Sequence, residues 1–239
     1  MSAAPNLSTV FVELADTLHE TFEVSDFLQV LVDRCVTLLP VTAAGLLLAD
    51  HRGEPQVVAA TSLGAQLLLA AQVRFGRGPG FDCQQVGTPV SAPDLPDADR
   101  DRWPGFADEA RRAGFAAVHV FPMRLRTEAL GALSLFRPRP GELPAESADI
   151  AQAFADVASI GLLQERAVRH GQVVAGQLQN ALQSRVEIEQ AKGLIAGRHG
   201  LDVEAADARL PRTPAAPQPK GAAMSRSAPP WHRPPRTGG

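Results

Sequence analysis

The chain has 239 residues, of which 45% are hydrophobic and 21% charged, with two cysteines and a formal net charge of −3. This composition excludes a disulfide-rich secreted scaffold and a collagen-like fibre. No apolar run approaches the roughly 18–20 residues of a membrane span, and the first residues lack the basic and apolar parts of a signal peptide. Isolated thiols suit a reducing compartment, so we expect a cytoplasmic protein with one good-sized domain and a smaller second element.

The charge is divided unevenly along the chain. Residues 211–239 contain five basic residues, no acidic residue and eight of the 20 prolines, so residues 1–210 carry a net charge of −8. Proline removes backbone donors and interrupts helices. We therefore expect a basic, disordered tail over residues 210–239. An RNA-binding arm is the less favoured alternative, because the charges are sparse and only Trp231 and His232 could stack on bases.

The first sixty residues predict two helices and a hairpin. Residues 7–21 and 25–39 each place apolar side chains on one helical stripe, with Ser25 as a candidate N-cap of the second helix. The apolar runs 43–50 and 56–62 flank a turn that contains Gly and Pro, which is typical of paired strands.

The middle of the chain predicts shorter elements. We expect a helix over 63–74, a break at 75–80 and a short helix around FDCQQV, followed by PVSAPDL as an edge strand or an extended loop. Residues 95–105 are rich in Pro and Asp, so we expect an irregular surface segment there.

The second half predicts a hairpin and then one long helix. Residues 115–125 and 129–138 are two further strands, and a helical pattern runs from about 145 to 197. Helices, then strands, then helices favour an α+β sandwich over a Rossmann-like alternation.

The long helix carries a seven-residue repeat. One line of positions is wholly apolar: Ile160, Ala167, Val174, Ala181, Ile188 and Ile195. The neighbouring line is mostly not apolar: Val157, Gln164, Gly171, Leu178, Arg185 and Lys192. Half of a heptad seam predicts a short or imperfect coiled coil. We favour a parallel homodimer through the helix 164–195, and the alternative is packing on the chain's own sheet.

No residue pattern predicts a catalytic or metal site. The six histidines are scattered, and none lies within four residues of a cysteine, so no zinc spacing exists. The segment GRGPG at 76–80 lacks the GK[ST] ending of a phosphate loop. We expect no catalytic residue, no metal and no cofactor. Cys83, near a helix start, is either a reactive thiol or, as we favour, a small buried one.

The segment SRVEIEQAKGLIAGRHGL at 184–201 differs from the rest of the helix. Arg185 and Lys192, seven residues apart, share one helical face. Gly193 and Gly197 each weaken a helix by about 1 kcal/mol relative to Ala, so we expect another helix to approach closely there. An ordinary solvated helix is the alternative.

Residues 181–206, ALQSRVEIEQAKGLIAGRHGLDVEAA, resemble the start of an ANTAR domain, the RNA-binding module of bacterial transcription antiterminators. Upstream, segments such as DFLQVLVDRCVTLL, RWPGF, GFAAVHVFPMRL and ALGALSLF resemble the GAF domain of actinobacterial GAF–ANTAR regulators. The resemblance implies a GAF sensor with an antiparallel sheet at 1–165 and a linker helix with a partial ANTAR domain at 166–209. The positions that match the RNA-binding pattern are Arg185, Gln190, Ala191, Lys192 and Gly193.

The resemblance implies a cytoplasmic, homodimeric regulator that senses an unknown signal through its GAF domain and binds tandem RNA hairpins to prevent termination. One alternative is a GAF module that binds a ligand or a partner without binding RNA. A less favoured alternative is a GAF-type methionine sulfoxide reductase, which needs reactive thiols, and only Cys35 and Cys83 are available.

Two features depart from the family pattern. Gly80 stands where relatives often have the first cysteine of GPC-x-x-C. After Ala206 the sequence lacks the expected EAF-x-x-LR-x-x-AR helix and continues into prolines, so we expect an incomplete ANTAR module. A shifted reading frame near Ala206 is our hypothesis for this tail.

Overall fold

A computed structural model describes residues 10, 12–14, 23–50, 53–95, 102–125 and 128–199. Five strands form one antiparallel sheet in the order β2-β1-β5-β4-β3. The strands are β1 (Ala43–Ala49), β2 (Pro55–Ala60), β3 (Val90–Ala92), β4 (Ala117–Leu125) and β5 (Glu128–Arg137). The helices are α1 (Val24–Leu38), α2 (Leu63–Phe75), α3 (Pro79–Val86), α4 (Pro104–Arg112) and α5 (Ala145–His199). The expected α+β class is confirmed.

The strand β1, which lies between β2 and β5, is apolar on both faces because helices cover both sides of the sheet. Leu46 and Leu48 belong to a core cluster that also contains buried residues of α1 and of the first part of α5. Leu47 points the other way, into a second cluster with residues of α2, α3 and α4. A strand that is buried on both faces has a continuous apolar sequence, which explains the sequence AAGLLLA.

Gly131 allows β5 to lie close to β1. A Cβ atom on Gly131 would collide with the backbone carbonyl oxygen of Leu47 and with the side chain of Leu48. These two central strands also pair over six residues, from Ala43 with Phe136 to Leu48 with Gly131. A larger residue at 131 would therefore force the centre of the sheet apart.

The N-terminal helix boundaries differ from the expectation in one respect. The helix α1 begins at Val24 and its N-cap is Glu23, whose carbonyl oxygen accepts from the amides of Asp26 and Phe27, so the prediction of Ser25 as the cap was wrong. The predicted helix at 7–21 lies largely outside the described residues. Within it, residues 10 and 12–14 are helical, and Val10 and Leu14 are buried in the first cluster.

The helix α4 is an element that sequence reasoning did not predict. It begins at Pro104, one residue before the end of the segment that we expected to be irregular. Proline fits the first turn of a helix because the missing N–H has no helical partner there. Trp103, Phe106 and Ala110 are buried in the second cluster, so tertiary packing stabilises this nine-residue helix.

The described chain divides into two compact units, and the division falls within α5, between Glu165 and Arg166. The first unit contains the sheet and the helices around it. The second contains the part of α5 from residue 166 to His199. None of the described helices combines the length and the apolar character that a membrane crossing requires.

Candidate functional sites

A buried glutamine lies under the glycine-rich turn between α2 and α3. The Oε1 atom of Gln72 accepts from the amide of Gly80 at 2.7 Å. A Cβ atom on Gly78 would lie 2.5 Å from Cγ of Gln72, and one on Gly80 would lie 2.9 Å from its Oε1. The Gln72 side chain therefore explains the glycines at 78 and 80, while Gly76 ends α2 with a φ of +63°, a conformation that glycine adopts readily.

A small cavity of about 10 Å³ lies beside this turn, which is room for about one water molecule. Its lining is almost wholly apolar apart from one amide, and consists of Leu47, Pro55, Gly80, Phe81, Gln84 and Gly131. The Nε2 atoms of Gln84 and of Gln72 are buried and have no hydrogen-bond partner among the described residues. Unpaired buried donors are costly, so the Gln84 amide at the cavity marks a place where an acceptor would bind favourably.

Sequence reasoning missed both glutamines, although a signal for one of them existed. Ala65, Leu68, Leu69 and Gln72 follow the i, i+3, i+4, i+7 spacing of the buried face of α2. A polar residue on that apolar stripe indicates a buried hydrogen bond. Gln84 gave no comparable signal, because α3 is only eight residues long.

Both thiols have environments that oppose reactivity. Cys83 is fully buried, its Sγ lies 3.6 Å from the carbonyl oxygen of Val120, and burial raises its pKa to about 12. Cys35 is buried in the first cluster, and burial raises its pKa still further. Thiolates are the reactive form, so the geometry favours the buried-thiol interpretation of Cys83.

The acidic neighbour of Cys83 has a structural partner. Asp82 accepts two hydrogen bonds from Arg102, at 3.0 Å from Nε and 2.7 Å from a terminal nitrogen. The Arg102 guanidinium also lies 4.3 Å from the centre of the Trp103 ring. This ion pair ties the first turn of α3 to the residues that precede α4.

One histidine is buried at the β3 side of the sheet. His119 lies opposite Ser91 in the β3–β4 pairing, and its Nδ1 is 3.0 Å from the Ser91 hydroxyl. Its Nε2 is buried without a hydrogen-bond partner in the described part of the chain. Burial lowers the pKa of His119, while Glu142 and the Gly141 backbone act in the opposite direction and Arg137 acts with burial.

The predicted RNA-binding positions all lie on α5. Gln190 and Gly193 are exposed, Ala191 and Lys192 are half-buried, and Lys192 Nζ lies 3.1 Å from Glu189 Oε1. The backbone of Arg185 is helical, and the structure does not describe its side chain. Successive residues of an α-helix are rotated by about 100° around its axis. Arg185 and Lys192 therefore lie on one face and Gln190 on another, so the helix does not bring the five predicted RNA-binding positions together.

The expected close approach at the glycines of this segment is not found among the described residues. A Cβ atom on Gly193 would meet no atom within 4 Å. The surroundings of Gly197 are not described, and the predicted cap at Gly200 and the following helix start also lie outside the described residues.

Two families match this chain in sequence. The GAF domain family matches residues 23–163, more than half of the chain, and the ANTAR domain family matches residues 176–213. The chain therefore belongs to the GAF domain family, and an ANTAR domain follows the GAF domain. Both resemblances are confirmed. The ANTAR match continues past Ala206, so the truncation stays a hypothesis.

Solved structures support the GAF fold. The GAF domain of a phosphoenolpyruvate-protein phosphotransferase from Coxiella burnetii has a TM-score of 0.54 at 19% identity, covering 71% of this chain and 99% of that one. The free methionine-R-sulfoxide reductase from Neisseria meningitidis has a TM-score of 0.54 at 15% identity, with coverages of 70% and 95%. A phycoerythrobilin-bound GAF domain from a cyanobacterial phytochrome has a TM-score of 0.53 at 15% identity, with coverages of 70% and 100%.

The names of these three neighbours describe different kinds of protein. The structural likeness therefore establishes a shared fold, and it establishes no ligand or reaction for this chain. No curated protein has a sequence that matches this chain significantly. The GAF–ANTAR architecture itself fits a regulator rather than an enzyme.

Proposed function

We propose that this chain is a cytoplasmic, signal-responsive antitermination regulator, in which the GAF domain receives a signal and the ANTAR domain binds RNA. The observation that carries the proposal is the order of the two domains in one chain. A single helix supports it, because α5 begins at Ala145 within the GAF match and ends at His199 within the ANTAR match. The two matched regions are therefore joined by helix rather than by a loop.

The proposed RNA contacts come from the ANTAR resemblance. Arg185 and Lys192 supply cations for phosphate oxygens, and the resemblance adds Gln190, Ala191 and Gly193. Phosphate contacts release counterions, so the affinity should fall steeply as salt rises. The proposed target is a pair of hairpins in nascent RNA, whose binding would prevent the terminator from forming.

The proposed sensing site is the cavity beside the 78–80 turn. The unpaired Nε2 atom of Gln84, a residue that lines the cavity, supports it, because a ligand with an acceptor oxygen would satisfy this donor. The present volume of about 10 Å³ admits no more than about one water molecule. A larger ligand would have to displace Phe81 or Pro55, and this movement would be the origin of the signal.

The proposed oligomer is a parallel homodimer through the helix 164–195. Three residues of the heptad lines support it, since Val174, Leu178 and Ile188 have relative exposures of 48%, 62% and 48%. A second copy of the helix would cover them. Val173, Val186 and Leu194 are also exposed but lie on other faces, so the exposed apolar surface is wider than one seam.

A gel-shift experiment tests the function. The full chain is titrated into RNA with two tandem hairpins and, separately, into an unpaired RNA of equal length and charge. Preferential binding to the hairpin RNA supports the proposal. Equal affinity for the two RNAs contradicts it, because charge alone would then explain binding. A related chain with the complete ANTAR pattern is the positive control.

A second candidate is a GAF dimerisation or ligand-binding module that has lost RNA binding. The absence of an LR-x-x-AR segment after Ala206 favours it. Such a chain would pair with an intact relative, so co-purification with that relative, combined with no gel shift, would favour this candidate over the first.

Thiol-dependent sulfoxide reduction is less favoured, because the pKa of Cys83 is about 12 and Cys35 is buried as well. Loss of a measured reductase activity in Cys83→Ser would favour it, and activity that survives this change would eliminate Cys83 as the nucleophile.

A further inference from the structure

The connection between β5 and α5, residues 138–143 and hereafter the strap, is fixed to the sheet by hydrogen bonds. Arg137, the last residue of β5, donates from Nη1 to the carbonyl oxygens of Gly141 at 2.8 Å and of Glu142 at 2.9 Å. The Gly141 amide donates to the carbonyl oxygen of Pro93, the residue after β3, at 2.8 Å. The strap is therefore held to β5 by a cation and to the end of β3 by an amide.

His119 lies on the same face of the sheet as the Arg137 side chain. In the strand pairing it is opposite Ser91 of β3 and Leu135 of β5, and Arg137 follows Leu135 by two residues. Residues that are opposite one another, or two apart in one strand, share a face. Leu135 belongs to the first core cluster, so this face is the one that α5 covers. His119 is accordingly buried, with a relative exposure of 1%.

The hydrogen bonds of this imidazole are incomplete. Nδ1 is 3.0 Å from the Ser91 hydroxyl oxygen, and Nε2 has no hydrogen-bond partner within the described ranges of the chain. A neutral ring has one N–H and one lone pair, whereas a protonated ring has two N–H donors. Protonation in the observed arrangement would leave a charged donor buried without an acceptor at Nε2, which is costly. The strap as observed therefore requires a neutral imidazole.

The groups around the ring act on it in opposite directions. Burial lowers the pKa of His119, and the Arg137 cation adds to this effect, while the Glu142 carboxylate and the Gly141 backbone favour the protonated ring. An imidazolium Nε2–H would use the Gly141 carbonyl oxygen as its acceptor, and that oxygen already accepts from Arg137. Other charged residues of the neighbouring segments are the half-buried Asp94 and the exposed Arg139, Glu146 and Asp149.

We propose that His119 and the strap form a proton-operated latch at the start of α5. When Nε2 takes a proton from solvent, it donates to the Gly141 carbonyl oxygen in place of Arg137, because the two cations compete for one acceptor. The Ser91 hydroxyl then accepts from Nδ1. The strap loses its bond to β5, and the first turn of α5, which begins at Ala145, loses its fixed connection to the sheet. This latch would respond to a fall in pH and does not depend on RNA binding.

The latch should open at a pH below the ordinary histidine pKa of about 6.5, because burial lowers the pKa of His119 in the closed state. In the rearranged strap Nε2 has an acceptor, so the pKa is higher there and protonation favours the rearrangement. Each unit of pKa difference between the two arrangements shifts their equilibrium by about tenfold.

The test follows His119 and the strap in the full chain between about pH 7.5 and 5. NMR of the chain labelled with ¹⁵N-histidine gives the imidazole titration, and the His119 signals are assigned by their loss in His119→Gln. Hydrogen exchange gives the protection of residues 138–149, corrected for the pH dependence of intrinsic exchange. Protection should fall by about tenfold as the pH passes the His119 midpoint. Constant protection while His119 titrates overturns the latch, and so does a His119 that stays neutral throughout.

Two histidine variants show whether the response belongs to this residue. His119→Gln should keep its protection over the whole pH interval, because an amide does not titrate. His199→Gln, which removes a histidine of the other compact unit, should respond like the unmodified chain. A pH response that persists in His119→Gln overturns the proposal.

Arg137→Gln tests the competition for the Gly141 carbonyl oxygen without a change to the histidine. Removal of this cation should raise the pKa of His119 and lower the protection of the strap already at neutral pH. Arg139→Gln removes an exposed cation of the strap and should change neither quantity. A His119 pKa that is unchanged in Arg137→Gln overturns the proposal. RNA takes no part in these measurements, so the latch and the proposed function fail independently.

Discussion

At the residue scale, the side chain of Gln72 determines which residues fit at the start of α3. Its Oε1 atom accepts from the Gly80 amide, and a Cβ atom at position 80 would also lie 3.2 Å from Leu47 Cδ1. The packing around position 80 is therefore consistent with glycine there and not with cysteine. The buried glutamine crowds the Cβ atom that a cysteine would add.

The change Gly80→Cys should destabilise the protein by about 1–3 kcal/mol, because it overpacks the contact with Gln72 and Leu47. Urea unfolding followed by fluorescence measures this loss. The variant Gln72→Ala removes one side of the clash, so the double variant should lose less free energy of unfolding than the sum of the two single changes. Simple additivity would contradict the packing argument.

His119 provides a pH-dependent term in stability. Its pKa is lowered chiefly by burial, so the unfolded chain binds a proton more readily than the folded one. The free energy of unfolding should be unaffected by this group at pH values well above about 6.5. It should then decrease as the pH falls through that value, until the folded imidazole is protonated too.

The His119→Gln variant tests this term, since an amide can still bond to Ser91 and does not titrate. The stability of the unmodified chain relative to that of the variant, measured from denaturation between about pH 5 and 8, should decrease as the pH falls. Curves that stay parallel over this interval would show that His119 has the same pKa in the folded and unfolded chain.

At the element scale, apolar periodicity predicted the strands and the longer helices, because burial on one or both faces imposes it. β1 and α5 are examples, and their observed bounds lie close to those expected. The helix α4 could not be predicted in this way. Its PGFADEARR sequence has few apolar residues, and contacts of Phe106 and Ala110 with residues distant in sequence stabilise it.

The site was less predictable than the fold. Arg185 and Lys192 were found through a sequence resemblance, since a solvated helix produces no geometric signal of its own. Gln84 was missed, because its significance depends on three chain segments that meet around it: Leu47, Pro55 and Gly131. Such a cavity is a property of tertiary packing, and neither spacing nor composition encodes it locally.

The glycines of α5 allow a prediction at this scale. A Cβ atom on Gly176 would meet no atom within 4 Å, so Gly176→Ala should stabilise the helix by about 0.5–1 kcal/mol. Thermal loss of circular dichroism at the helix band measures the gain.

The same substitution at Gly87 is the matched control. Gly87 ends α3 with a φ of +70°, which Ala adopts poorly, so Gly87→Ala should destabilise the protein by about 1 kcal/mol. If Gly176→Ala instead lowers stability, a neighbour that is not present in the single chain must lie close to Gly176.

At the scale of the whole molecule, the acidic body and the basic tail coincide with different parts of the architecture. The GAF domain and α5 belong to the acidic part, residues 1–210, and the prolines accumulate where the ANTAR match ends, near residue 213. The basic excess therefore belongs to the tail, and we assign no function to it in the folded domains. The net charge of residues 1–210 repels phosphate, so the proposed RNA binding would depend on local cations such as those on α5.

The most direct test of the account is the salt dependence of the affinity for tandem-hairpin RNA. It is compared between the full chain and the Arg185→Gln/Lys192→Gln variant, with Gln179→Leu/Gln183→Leu as the control. The account predicts tight binding at low salt, a slope of log affinity against log salt that becomes shallower by roughly 1–3 in the double-glutamine variant, and no change in the control. Equal affinity and equal slope in the double-glutamine variant would contradict it.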